Sequence, residues 1–250
     1  MSLRIHALPA GTIRNFPVAA VRYLRGFGDF HDTPMIMFVI TGGEFPIVVD
    51  SGTPEPDLVR EHHGYDFVRP AAEDPAATLA GIGVDPADVR LVVHTHLHWD
   101  HCGNNHLFPN ARFVVQKAEL SYAVDPLEPS RVAFENTDAI APPWAPVLNR
   151  FRTVDGDARL APGVGVVALP GHTPGSQGVL VETGAGPHLL AGDTVDTHAN
   201  WDGDERLSHI PSGSFVDLAA YMRSFATIER LGATVVPSHD AEVLEKGVFG

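Results

Sequence analysis

The chain has 250 residues, 44% of them hydrophobic, which is enough to fill a sizeable core and fits a single domain. Its 31 acidic residues outnumber 17 Lys plus Arg, giving a formal charge of −14 that speaks against nucleic acid and anionic membrane as partners. The single cysteine, Cys102, rules out an internal disulfide, and no apolar run is long enough for a signal peptide or a membrane span, so a soluble cytoplasmic protein is expected.

The first β-like runs are Met35–Thr41, Pro46–Asp50 and Arg90–Thr95, each bounded by turn residues. Between the last two, Asp74 followed by Pro75 predicts the start of a helix that stops near Gly81 or Gly83. A strand at Arg112–Gln116 and a helix from about Lys117 to Ala123 come next. Residues 125–150 hold five prolines and no periodicity, and read as an inserted loop or cap that could wall a pocket or serve a homodimer. The second half offers strands at Gly165–Leu169, Gly178–Glu182 and His188–Ala191. A long helix is predicted from Ser214, with Asp217 three places on as a capping-box partner, to Leu231. A last strand at Thr234–Pro237 leads into His239. Strands and helices in both halves predict layered α/β architecture.

Chemistry concentrates at strand ends. His96, His98, Asp100 and His101 follow the apolar run Leu91–Val93. Two imidazoles two residues apart on extended chain point the same way and can reach one metal ion. Asp100 and His101, past a turn, can face a second ion, and Gly103 lets the backbone pass close by. Downstream, three apolar strands each run into a small-residue turn with one donor: His172, Asp193 and His239. A carboxylate such as Asp193 can bridge two cations, as in two-metal hydrolytic sites. Seven nitrogen and oxygen donors without paired cysteines suit two catalytic zinc ions better than a closed structural site, with Fe, Mn or Co as other candidates. Asp50 reads as the partner that orients a ligand histidine. Asp196, His198 and Trp201, just after Asp193, are candidate substrate contacts, and Phe30, Met35 and Met37 a candidate apolar wall. Cys102 reads as an inert packed thiol, and His6, His31, His62, His63, His94, His106, His188 and His209 as surface or hydrogen-bonded residues.

The ordered set VVDSG with Asp50, HxHxDH at 96–101, and the GH, GD and SH pairs ending at His172, Asp193 and His239 resembles the metallo-β-lactamase superfamily. The resemblance implies an αββα sandwich of two mixed sheets. It also implies that His96, His98 and His172 hold one zinc, that Asp100, His101 and His239 hold the second, and that Asp193 bridges. The segment HLHWDHCGNN is most similar to the N-acyl homoserine lactonase group. This implies an ester hydrolase that opens a lactone ring by attack of a hydroxide bridging the metals, with Asp100 or Asp193 passing the proton. One departure stands out: Asp196 lies three residues beyond Asp193, where that group has a tyrosine. A carboxylate accepts hydrogen bonds and does not donate them. A different lactone, as for a pyridoxolactonase, or a thioester or phosphoester therefore remains an alternative substrate.

Overall fold

The computed structural model describes residues 2–250 and shows two facing sheets between helical layers. The first part of the chain supplies β1 (Arg4–Pro17), β2 (Phe30–Thr41), β3 (Ile47–Val49), β4 (Phe67–Val68), β5 (Leu91–Val93), β6 (Arg112–Gln116) and β7 (Phe151–Val154). The remainder supplies β8 (Ala158–Ala161), β9 (Val164–Ala168), β10 (Gln177–Thr183), β11 (Gly186–Leu190), β12 (Thr234–Val236) and β13 (Val248–Phe249). The larger sheet runs β13-β1-β2-β3-β5-β6-β7, with β4 also paired to β1; the smaller runs β12-β11-β10-β9-β8. Parallel and antiparallel pairs occur in both.

The helices are α1 (Val18–Val21), α2 (Pro56–His63), α3 (Pro75–Gly81), α4 (Trp99–Cys102), α5 (Lys117–Val124), α6 (His198–Asp202), α7 (Leu218–Leu231) and α8 (Ala241–Lys246). Side-chain alternation in β2 accounts for the layering. Ile36, Phe38 and Ile40 meet Val164, Val166 and Val179 of the opposite sheet, whereas Met37 and Val39 pack outward with Leu79 of α3 and Phe108. A strand buried on both faces is apolar at every position, as this run is. On the other side Tyr221, Phe225 and Ile228 of α7, at helical spacing, cover Val167 and Leu189. Burial of each such side chain contributes roughly 1.5–3 kcal/mol.

The αββα layering, the Asp74 cap, which accepts from the Ala76 and Ala77 amides, and most strands follow the sequence reading. The sequence reading offers no element at α1, α2, β4, β7, β8, α8 or β13, and three further places differ. The longest strand, β1, was not expected, because Pro9 and Gly11 interrupt its alternation. Both fall where the register with β2 shifts, and a Cβ on Gly11 would lie 2.3 Å from the Phe67 ring. The helix expected from Ser214 begins at Leu218, with Asp217 as the cap accepting from Ala220 N. Ser214 instead offers its carbonyl to His172 Nδ1 at 2.7 Å. Residues 198–202, given no element by the sequence reading, form α6, closed at its start by a reciprocal Thr197–Asn200 capping box. Residues 125–150 contain no strand, and Phe134 and Trp144 anchor them to Leu97 and Cys102. No helix of the described residues is long and apolar enough to cross a membrane.

Candidate metal centre

The donors gather where the two sheets share an edge. The chain leaves β5 of the larger sheet and reaches His96 and His98; the latter caps α4, whose first turn presents Asp100 and His101. His172 follows β9. Strands β11 and β12 run parallel, with Leu190 opposite Val236, so Asp193 and His239 emerge from neighbouring strand ends. Gln177 of β10 ties the sheets together here, its amide donating to Thr95 O and its side chain to His94 O. At Gly103 a Cβ would lie 2.3 Å from Pro54 N, so the close backbone approach expected there is present.

His96, His98 and His172 form one group with donor atoms within 4.8 Å of one another; Asp100, His101, Asp193 and His239 form a second. Asp193 faces both. Its Oδ2 lies 3.8 Å from His96 Nε2 and 3.5 Å from His172 Nε2, while its Oδ1 lies 3.2 Å from His101 Nε2 and 3.1 Å from His239 Nε2. Asp100 Oδ2 is 3.5 Å from His101 Nε2, and His172 Nε2 is 3.1 Å from His98 Nδ1. Donors about 2 Å from a tetrahedral zinc stand ~3.3 Å apart, so these spacings suit a cation at the middle of each group. His96 Nε2 and His101 Nε2 are buried without hydrogen-bond partners, as lone pairs kept for a metal would be. The two groups make a dinuclear metal site.

Each group has its own support. His101 Nδ1 bonds Asp50 Oδ2 at 2.8 Å, and the Asp50 carboxylate also accepts from Thr95 N at 2.7 Å and Thr95 Oγ1 at 2.8 Å, so it sits where the sequence reading put it. Asp50 itself adopts φ 58°, the left-handed region. His239 Nδ1 is 3.0 Å from Pro34 O, and Ser238 Oγ donates to Asp193 Oδ1 at 2.9 Å. Behind the first group lies Glu119 of α5, which sequence reasoning missed. It is fully buried, accepts from Leu97 N (2.9 Å), Thr173 Oγ1 (2.6 Å) and Gly175 N (3.2 Å), and so joins the His96–His98 loop to the His172 loop. Its only sequence signal is a carboxylate early in a helix that follows a buried strand.

Burial and neighbouring imidazoles push His96 and His98 well below the ordinary histidine pKa, and burial lowers His172, so all three are neutral ligands. In the second group burial again opposes charge, but the carboxylates win. They raise His101 well above its ordinary value, and Asp193 raises His239 to about 9. Burial would raise Asp193, yet His101, His239 and His96 hold it well below the carboxylate range. Burial pushes Glu119 up to about 7.

A cavity of about 220 Å³ opens over the donors. Phe16, Met35, Tyr65, Trp99 and Ala133 give it an apolar wall; Asp196 lies on its polar side. Asp196 Oδ1 is buried without a partner, and burial together with the Asp193 charge raises its carboxyl well above the usual range. The other two candidate contacts lie elsewhere. His198 donates its backbone N–H to Asp240 Oδ2, and its Nδ1 lies 2.9 Å from the same oxygen. Trp201 stacks on His209 at 4.0 Å and packs with the cluster beneath α7, because α6 turns both residues away. Of the expected wall, Met35 is present, Met37 lies in the outer core and Phe30 is exposed. Cys102 is buried, its thiol pushed up by burial and directed at Leu97 O and His98 O.

The sequence profile of the Metallo-beta-lactamase superfamily matches residues 36–239. An N-acyl homoserine lactonase of Bacillus sp is 32% identical over 71% of this chain and 70% of its own length. The N-acyl homoserine lactonase AttM of Azorhizobium caulinodans is 30% identical over 96% of this chain and 94% of its own. Among solved structures, an N-acyl homoserine lactone hydrolase with the product N-hexanoyl-L-homoserine at its catalytic metal center superposes with TM-score 0.77 at 22% identity, covering 97% of this chain and 95% of that one. The dizinc quorum-quenching lactonase AidC gives TM-score 0.71 at 18% identity, covering 98% and 89%. At these identities the superpositions speak for the fold.

Proposed function

Because the chain belongs to the metallo-β-lactamase superfamily, we propose that it is a metal-dependent hydrolase that opens the ring of N-acyl homoserine lactones. The observation that carries this reading is the split Asp193 carboxylate, one oxygen toward each donor group, beneath a cavity with one apolar wall. His96, His98 and His172 would hold one ion, Asp100, His101 and His239 the other, and Asp193 both. Their nitrogen and oxygen chemistry fits zinc. When bound, the ions supply Lewis acidity and a nucleophilic water at neutral pH.

The protein's own residues set the geometry. The ring carbonyl lies over the donors while the apolar wall of Phe16, Met35 and Trp99 takes the acyl chain. Hydrolysis adds a water oxygen to the carbonyl carbon, breaks the ring C–O bond and places a proton on the departing alkoxide. Asp100, at the cavity floor, is the carboxylate positioned to carry that proton. Asp50 and the Ser214 carbonyl hold His101 and His172 in one tautomer and orientation, so the floor needs little reorganisation during the reaction.

A second reading rests on Asp196. A carboxyl with an unpartnered oxygen beside the cavity can accept an amide N–H of an acyl homoserine or a hydroxyl of a fused aromatic lactone. Initial rates on acyl homoserine lactones of several chain lengths, a hydroxylated aromatic lactone, a thioester and a phosphodiester separate these substrates. Ring opening of the first group at a rate above all others is expected, and absence of lactone turnover in zinc-loaded protein would overturn the proposal.

A further inference from the structure

Another group of metal-type donors lies outside the dinuclear centre. His62 and His63 end α2, and Glu135 belongs to the proline-rich segment between α5 and β7. Glu135 Oε1 is 2.8 Å from His62 Nδ1 and 3.1 Å from His63 Nε2, and the three donors lie within 4.8 Å of one another. Consecutive helical side chains diverge by about 100°. These two meet at one oxygen because one presents Nδ1 and the other Nε2.

Three observations go beyond a pair of hydrogen bonds. The Glu135 and His63 side chains are only 4% and 3% exposed, yet among the described residues no Lys or Arg pairs with this carboxylate. Buried charges are normally paired or coordinate metals, and among the described residues the partners of this one are two imidazoles. Glu135 also adopts φ 49°, a left-handed conformation that a residue with a side chain keeps only where its surroundings impose it. Finally, both imidazole nitrogens lie near one carboxylate oxygen at separations close to the ~3.3 Å edge of a zinc tetrahedron, and the half-buried His62 leaves one side of the group open to water.

We propose that His62, His63 and Glu135 form a third divalent-cation site, suited to zinc and separate from the dinuclear centre. The ion clamps the 125–150 segment to α2. The clamp bears on the cavity wall, because His63 stacks on Trp99 at 4.3 Å, and Trp99 N donates to Ala133 O at 2.9 Å. Trp99 and Ala133 both line the cavity.

The test is metal stoichiometry of the full chain. Metal-free protein is saturated with zinc, passed through a desalting column and counted by mass spectrometry. Wild type should retain three equivalents, and Glu135→Gln and His63→Ala two. Cobalt(II) loading should give an additional four-coordinate visible band in wild type that is missing from both variants. Should either variant misfold by circular dichroism, His62→Gln, altered at the more exposed helix end, is counted in its place. Two equivalents in wild type, or three in the folded variants, overturns the site and leaves a plain hydrogen-bonded clamp. These counts are independent of turnover, so they stand or fall apart from the lactonase reading.

Discussion

The two donor groups of the dinuclear centre are built on different principles. The His96–His98–His172 group contains only imidazoles, made neutral by burial and fixed from behind by backbone amides that converge on Glu119. The group of Asp100, His101, Asp193 and His239 is rich in charge, with the buried carboxylate of Asp50 as a third behind it. Position therefore organises one half and electrostatics the other. A divalent ion entering the second half meets two carboxylates directly, whereas in the first it meets three neutral nitrogens and one shared oxygen.

That contrast can be broken by substitution. The largest effect should come from Asp193→Ala, which removes an oxygen from both halves: turnover should fall at least about 100-fold, and metal content below two equivalents at the centre. Full metal content with an unchanged rate would refute the shared carboxylate. Asp50→Asn should weaken binding of one equivalent about 10–100-fold and spare the other, as read by zinc titration against a chelator. Equal weakening of both would erase the distinction between the halves.

Glu119→Gln sharpens it from the opposite side. An amide cannot accept all three hydrogen bonds, so a stability loss of about 1–3 kcal/mol is expected in chemical denaturation. It should also change the pH profile. A folded-state value of about 7 against 4.5 means the folded carboxyl keeps a proton that the unfolded one has lost. Wild type should therefore lose stability as pH rises from about 4.5 to about 7, by roughly 3 kcal/mol, and level off above. The variant should lack that component, and an unchanged profile would place the ionisation elsewhere. The smallest effect belongs to Cys102→Ala, about 1 kcal/mol with unaltered turnover, because a buried thiol pushed to high pKa is packing and not a nucleophile.

Much of this centre could be read from the sequence because its donors are local. The HxHxDH run fits within six residues, and His172, Asp193 and His239 each follow an apolar strand, so residue type and strand-end placement coincide. The supports are not local. Glu119 reaches Leu97 across 22 residues and Thr173 across 54, and Asp50 reaches His101 across 51. Asp50 was found through its place in a motif, whereas Glu119 sits in an otherwise ordinary helix. Strand β1 was hidden because its proline and glycine serve register shifts that only a partner strand reveals. His198 and Trp201, close to Asp193 in sequence, lie away from the cavity because α6 rotates the chain.

The position of Asp193 between the sheets also bears on how the protein folds and persists. His101 hangs from the larger sheet and Asp193 from the smaller, so neither metal position is complete until the two sheets have docked. Contacts of such long sequence separation carry a loop-closure cost that must be met before they stabilise the fold. Ions that bind only the docked sandwich would stabilise the native state over the unfolded one by mass action. A site built for chemistry would thereby also tie together the two halves of the sandwich.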